Sequence, residues 1–182
     1  MNFTPSITVA FTGHRSYDGS AADMLIDTIE MLYARGMRVF LCGMAVGFDI
    51  SAAEAVIVGK ALHHDIRLVA VVPFGEQALR FNDSDRERFR AILKEADETI
   101  LLSAEYHAGV YALRNNYLVD HASIIIAWFD GSSGGTGYTV RRALSCGREV
   151  INLYPNEVIP KQYMGRKTKC TSSVEDKRGI AV

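Results

Sequence analysis

Cysteine is scarce in this chain of 182 residues, with only Cys42, Cys146 and Cys170. An odd number of thiols placed so far apart argues against a disulfide framework and for a reducing, cytoplasmic setting. No apolar run approaches the ~20 residues that a bilayer span requires. The start, Met1 to Pro5, lacks the basic residues and long apolar stretch of a signal peptide. Charge of one sign is not in excess: the net charge is −1, with 23% charged and 48% apolar residues. So apolar a chain buries enough surface to offset its ordering entropy, which excludes disorder over most of its length. Internal repeats and low-complexity tracts are absent.

Several chemical signatures are missing as well. There is no Walker A loop, no Gly-x-Gly-x-x-Gly fingerprint and no nucleophile elbow carrying a Ser-His-Asp order. His14, His63, His64, His107 and His121 show no metal spacing with the cysteines, so no metal is expected.

What is present is an alternation. Short apolar runs at 7–12, 38–42, 67–72, 98–102, 124–129 and 149–153 read as strands. Most are continuously apolar, as in strands covered on both faces. Helical spacing separates them: Leu25, Ile29 and Leu32; Ile50, Ala53 and Ile57; Phe89, Ile92 and Leu93; Val110, Leu113 and Tyr117; Val140, Ala143 and Leu144. The pattern predicts an α/β, Rossmann-like, three-layer αβα domain over residues 1–160, with a mostly parallel sheet of six or seven strands. Residues 161–182 read as a polar tail. Its charge is +4, against −5 for residues 1–160, and an acidic body is a poor partner for a long polyanion.

Such sheets bind ligands at the carboxyl ends of their strands, so the strand-to-helix loops are the places to inspect. In Thr12-Gly13-His14-Arg15, Gly13 permits close backbone approach and Arg15 offers a planar donor fork for an anion. In 42–49, Gly43 and Gly47 are positioned to expose N–H groups before a helix. Asp49 either caps that helix or accepts from a ribose hydroxyl. The turn at Pro73-Phe74 either simply ends its strand, or sets Phe74 against a base with Glu76 or Gln77 on the base's edge. Arg114 and Asn115 sit in a half-buried helical stretch, where the arginine either snorkels to the surface or reaches a phosphate. The densest loop, 130–137, ends in Gly134-Gly135-Thr136-Gly137 and opens the last helix, a favourable place for phosphate oxygens.

Taken in order, these motifs resemble a known superfamily. Gly43 to Asp49 with Ala52-Ala53 resembles the Gly-x-Ala-Arg-Gly-Ile-Asp signature of DNA-processing protein A. Arg114-Asn115, the strand at 124–127 and Gly134 to Gly137 resemble the LOG-type ("lonely guy") nucleoside-monophosphate phosphoribohydrolases. Both belong to the SMF/DprA–LOG (SLOG) superfamily. With Thr12 to Arg15 and Pro73-Phe74 included, the run looks most like the bacterial YpsA-like members, over roughly residues 6–155. The resemblance implies a nucleotide-type pocket, with phosphate on Gly134–Gly137 and Arg114 near ribose or phosphate. It also exposes a departure. The hydrolases carry a carboxylate three or four positions after the glycine run, facing a cationic transition state; here those positions are Val140 and Arg141.

The expected function is therefore a cytoplasmic binder or sensor of a nucleotide or nucleotide-derived metabolite. Its site would draw on Gly13, Arg15, Gly43, Gly47, Asp49, Pro73, Phe74, Arg114, Asn115, Gly134, Gly135, Thr136 and Gly137, with Arg141 as a further cation. The alternatives are a hydrolase of N-glycosidic bonds in nucleoside monophosphates and, supported by the basic tail alone, a DNA-associated protein. No cofactor is assigned beyond such a ligand. A homodimer is expected by analogy; nucleic-acid and membrane partners are not.

Overall fold

The structure is a computed structural model that describes residues 4–155. The tail expected at 161–182 lies outside the described residues, as does Cys170. Six strands form one sheet: β1 (Thr8–Gly13), β2 (Val39–Cys42), β3 (Arg67–Val72), β4 (Glu98–Leu101), β5 (Ile124–Trp128) and β6 (Glu149–Asn152). All five pairings are parallel, in the order β4-β3-β2-β1-β5-β6. The expected strand starting at Ile7 begins one residue later. Pro5 opens a short 3-10 turn whose Ile7 N–H is taken by the Thr4 carbonyl.

Five helices cross between the strands: α1 (Ala22–Ala34), α2 (Phe48–Leu62), α3 (Asp83–Glu95), α4 (Val110–His121) and α5 (Gly135–Ser145). Because strand side chains alternate between faces, one apolar strand supplies two cores. Val9 and Phe11 of β1 join α1, α2 and α3 through Leu25, Ile29, Val56 and Ile92. Ala10, between them, faces Leu118 and Val119 of α4 and Ala143 of α5 on the other side. This double burial is the reason the central strands read as nearly unbroken apolar runs.

The chain steps outward from β1 to β4, then α4 carries it back across the sheet to β5, on the other side of β1. Successive connections therefore diverge at the carboxyl ends of β1 and β5. That divergence leaves a crevice where ligands bind in open α/β sheets. No helix among the described residues is long and apolar enough to cross a membrane.

Candidate functional site

A crevice of about 410 Å³ opens at the carboxyl ends of β1 and β5, within the size range of small-molecule sites. The turn after β1 lines it with Thr12, Gly13, His14 and Arg15. The loop after β2 adds Ala45 and Asp49, α4 adds Tyr111, Arg114, Asn115 and Leu118, and α5 adds Gly135 and Thr136. Seven of the residues singled out from the sequence thus share one cavity.

The floor is a charged network. Arg114 is buried in α4, and its Nη1 donates to the Gly43 carbonyl and lies 3.4 Å from Asp49 Oδ2. Its Nε donates to Asn115 Oδ1 at 2.8 Å, and Asn115 Nδ2 donates in turn to the Gly135 carbonyl at 3.4 Å. The Arg114–Asn115 pair therefore ties the loop after β2 to the loop after β5. Of the two readings of Arg114, snorkelling is excluded by its burial.

Asp49 does not cap α2. The N-cap is Gly47, with no side-chain cap. Burial pushes the Asp49 carboxyl up to about 6, while the Arg114 guanidinium and the Ala45 and Gly13 N–H groups pull it back. The folded protein therefore holds this proton more tightly than an unfolded aspartate, whose value is 3.8. Stability contributed by this group is present at low pH and lost as pH rises through about 4 to 6. The unfolding free energy of wild type relative to Asp49→Asn is expected to fall by about 2 kcal/mol between pH 4.5 and 7.5. Urea titrations of both proteins measure it; parallel curves would show that the carboxyl is solvated.

The remaining candidates take supporting positions. A Cβ on Gly43 would stand 2.4 Å from Arg114 Nη1 and 2.8 Å from Asp49 Oδ2, and one on Gly47 would meet the Arg15 and His14 carbonyls. The N–H groups of this loop turn inward: Met44 onto Cys42 Sγ, Ala45 onto Asp49 and Phe48 onto the His14 carbonyl. Cys42 is fully buried, its thiol donating to the Asp49 carbonyl. Pro73 and Phe74 are buried, with the Phe74 ring against Tyr106 and Tyr111 and off the crevice. Gly134 caps α5 at φ 137°, and Gly137 packs against the Ser132 carbonyl. Val140 is buried beside Phe129, and neither it nor Arg141 lines the crevice.

Nothing in the sequence assigns a role to His14. Its Nε2 meets Asp130 Oδ1 at 2.8 Å at the crevice rim. The Ser132 hydroxyl and N–H hold the Asp130 carboxyl below its usual range. The two residues are 116 positions apart and become neighbours only through the β1–β5 pairing.

Residues 20–159 match the model of the YspA SLOG family. The SPbeta prophage-derived protein YoqJ of Bacillus subtilis is 28% identical over 149 residues, covering 74% of this chain and 87% of its own length. A UPF0398 protein of Halalkalibacterium halodurans is 30% identical, over 59% of this chain and 58% of that protein. Among solved structures, DNA processing protein A from Helicobacter pylori superposes with a TM-score of 0.61 at 19% identity, over 85% of this chain and 68% of that one. Its Streptococcus pneumoniae counterpart gives 0.58 at 21%, over 79% and 48%. At such identities the likeness is one of fold.

Proposed function

The chain belongs to the YspA SLOG family, and from that premise we propose that it is a cytoplasmic binder or sensor of a nucleotide or nucleotide-derived metabolite. The supporting observation is convergence at one sheet edge. The N-terminal turn of α5, with Gly135 and Thr136, and the Gly13–Arg15 turn line the same crevice. The first N–H groups of a helix have no intrahelical partner and favour an anion. Arg15 is exposed, and its side chain makes no hydrogen bond or ion pair among the described residues. It is the cation available to a phosphate, while Arg114 holds the floor.

Thermal unfolding across nucleoside mono- and diphosphates and NAD-like and ADP-ribose-like compounds tests this. A ligand at a hundredfold excess over Kd adds about 2.7 kcal/mol and raises Tm by several degrees. Arg15→Ala is expected to weaken that ligand about tenfold at unchanged apo Tm. No shift with any compound at millimolar concentration would end the proposal. The Helicobacter pylori protein is described as binding single-stranded DNA. For this chain the −5 charge of residues 1–160 favours a small anion over a polyanion.

One observation supports the hydrolase as a second reading. Asp49 is the carboxylate that lines the crevice, whereas Glu76, Glu105 and Asp130 do not. Incubation with nucleoside monophosphates would then release base or ribose phosphate, with Asp49→Asn inactive. A persistent blank at high protein concentration would retire that reading.

A further inference from the structure

Next to the crevice lies a second hollow of about 370 Å³, lined by Arg15, Val46, Gln77, Arg80, Phe81, Asn82, Asp85 and Tyr111. Arg15 and Tyr111 line both cavities, so the two adjoin at these side chains. The second hollow has a different character. It offers aromatic surface from Tyr111 and Phe81, with the Arg15 guanidinium 5.9 Å from the centre of the Tyr111 ring.

Gln77 is the unusual residue in its wall. It is 3% exposed, in the 3-10 turn Gln77–Arg80. Its Nε2 donates to the Met44 carbonyl. Met44 is the single non-glycine residue with positive φ among the described residues, at 57°. That bond fixes which way the amide points, because Nε2 must face the carbonyl and Oε1 is left as an acceptor. Oε1 is buried and has no hydrogen-bond partner among the described residues. An unmet buried acceptor costs free energy, which a ligand N–H recovers once a small shift of the wall uncovers the oxygen.

We infer that this hollow is a base subsite for the crevice ligand, in which Gln77 Oε1 accepts from the amino edge of a nucleobase beside Tyr111. The inference rests on the nucleotide reading above and names its ligand class: a nucleotide whose base carries an exocyclic amine. Phosphate occupies the crevice by Arg15 and the α5 N-terminus, and the base lies by Gln77. The turn after β3 thus contributes to recognition through Gln77, while the buried Phe74 props Tyr111 from behind.

Calorimetric titration of the full chain separates the two claims. The probes are ribose 5-phosphate, adenosine and cytidine 5′-monophosphates, and the same two nucleotides with the amino group replaced by hydrogen. The expected result is that at least one amino nucleotide binds about tenfold tighter than its deaminated partner. In Gln77→Leu that gap closes. Because Gln77 also holds the Met44 carbonyl, a purely structural role would weaken all probes alike and leave the gap intact. If Gln77→Leu does not fold, the wild-type comparison still decides. Equal binding of amino and deaminated forms, or no gain over ribose 5-phosphate, overturns the base subsite and leaves the crevice reading standing. Failure of every probe overturns both.

Discussion

Gly47→Ala is expected to remove about 4 kcal/mol of unfolding free energy, measured by chemical denaturation. Two effects add. The residue sits at φ 88°, ψ −122°, a conformation that costs an L-residue of order 1–3 kcal/mol. Its Cβ would also stand 2.6 Å from the Arg15 carbonyl oxygen and 2.7 Å from that of His14. Both are backbone atoms and cannot swing aside, so overpacking adds about 1–3 kcal/mol more. Gly109→Ala is the control. It has φ 90° as well, but no atom lies within 4 Å of its Cβ position. Its expected loss is about 1 kcal/mol. Equal losses in the two variants would mean that the turn after β1 does not rest on the loop after β2, and the crevice would lose its geometry.

Arg114→Ala is expected to lose about 3–5 kcal/mol at pH 8, because it strands a buried carboxylate without its cation. The Gly43 carbonyl and Asn115 Oδ1 lose their donor in the same step. The loss should shrink at pH 5, where Asp49 takes up a proton and no longer needs a counter-charge. Adding Asp49→Asn to Arg114→Ala should recover at least about 1 kcal/mol at pH 8, a coupling that a double-mutant cycle isolates. Equal losses at both pH values, with no recovery in the double variant, would show that Arg114 acts only through packing. An arginine reserved for a ligand would instead leave apo stability almost untouched, so this measurement separates strut from ligand.

The signals that were legible in the sequence were local ones. Short apolar runs marked all six strands to within a residue or two, unbroken in the central strands because a strand covered on both faces has no polar side to show, and broken in the part-exposed edge strands β4 and β6. The α-helix of each crossover was visible as 3.6-residue spacing, while the 3-10 turn Gln77–Arg80 was not, and the α5 glycine run marked a helix start at a strand's carboxyl end. Gly43 and Gly47 were legible as positions of close approach, but a glycine does not say what approaches it. Here the neighbours are Arg114, Asp49 and the chain's own carbonyls. Likewise Phe74 is aromatic and follows a strand, which suits stacking on a base and packing under a tyrosine equally well.

Alone, the order of residues determined the strand–helix alternation and its parallel sheet, and pointed to the edge at which a ligand site is expected, because periodicity and turn chemistry act over a few neighbouring positions. Tertiary structure decided which side chains face the cavity and which brace it. Arg114 reaches Gly43 across 71 positions, Asp49 across 65, and His14 meets Asp130 across 116. Pairings so distant in the chain leave no periodic trace. They arise only when α4 recrosses the sheet and sets β5 beside β1, and with them a buried charge acquires the partner that lets it stay.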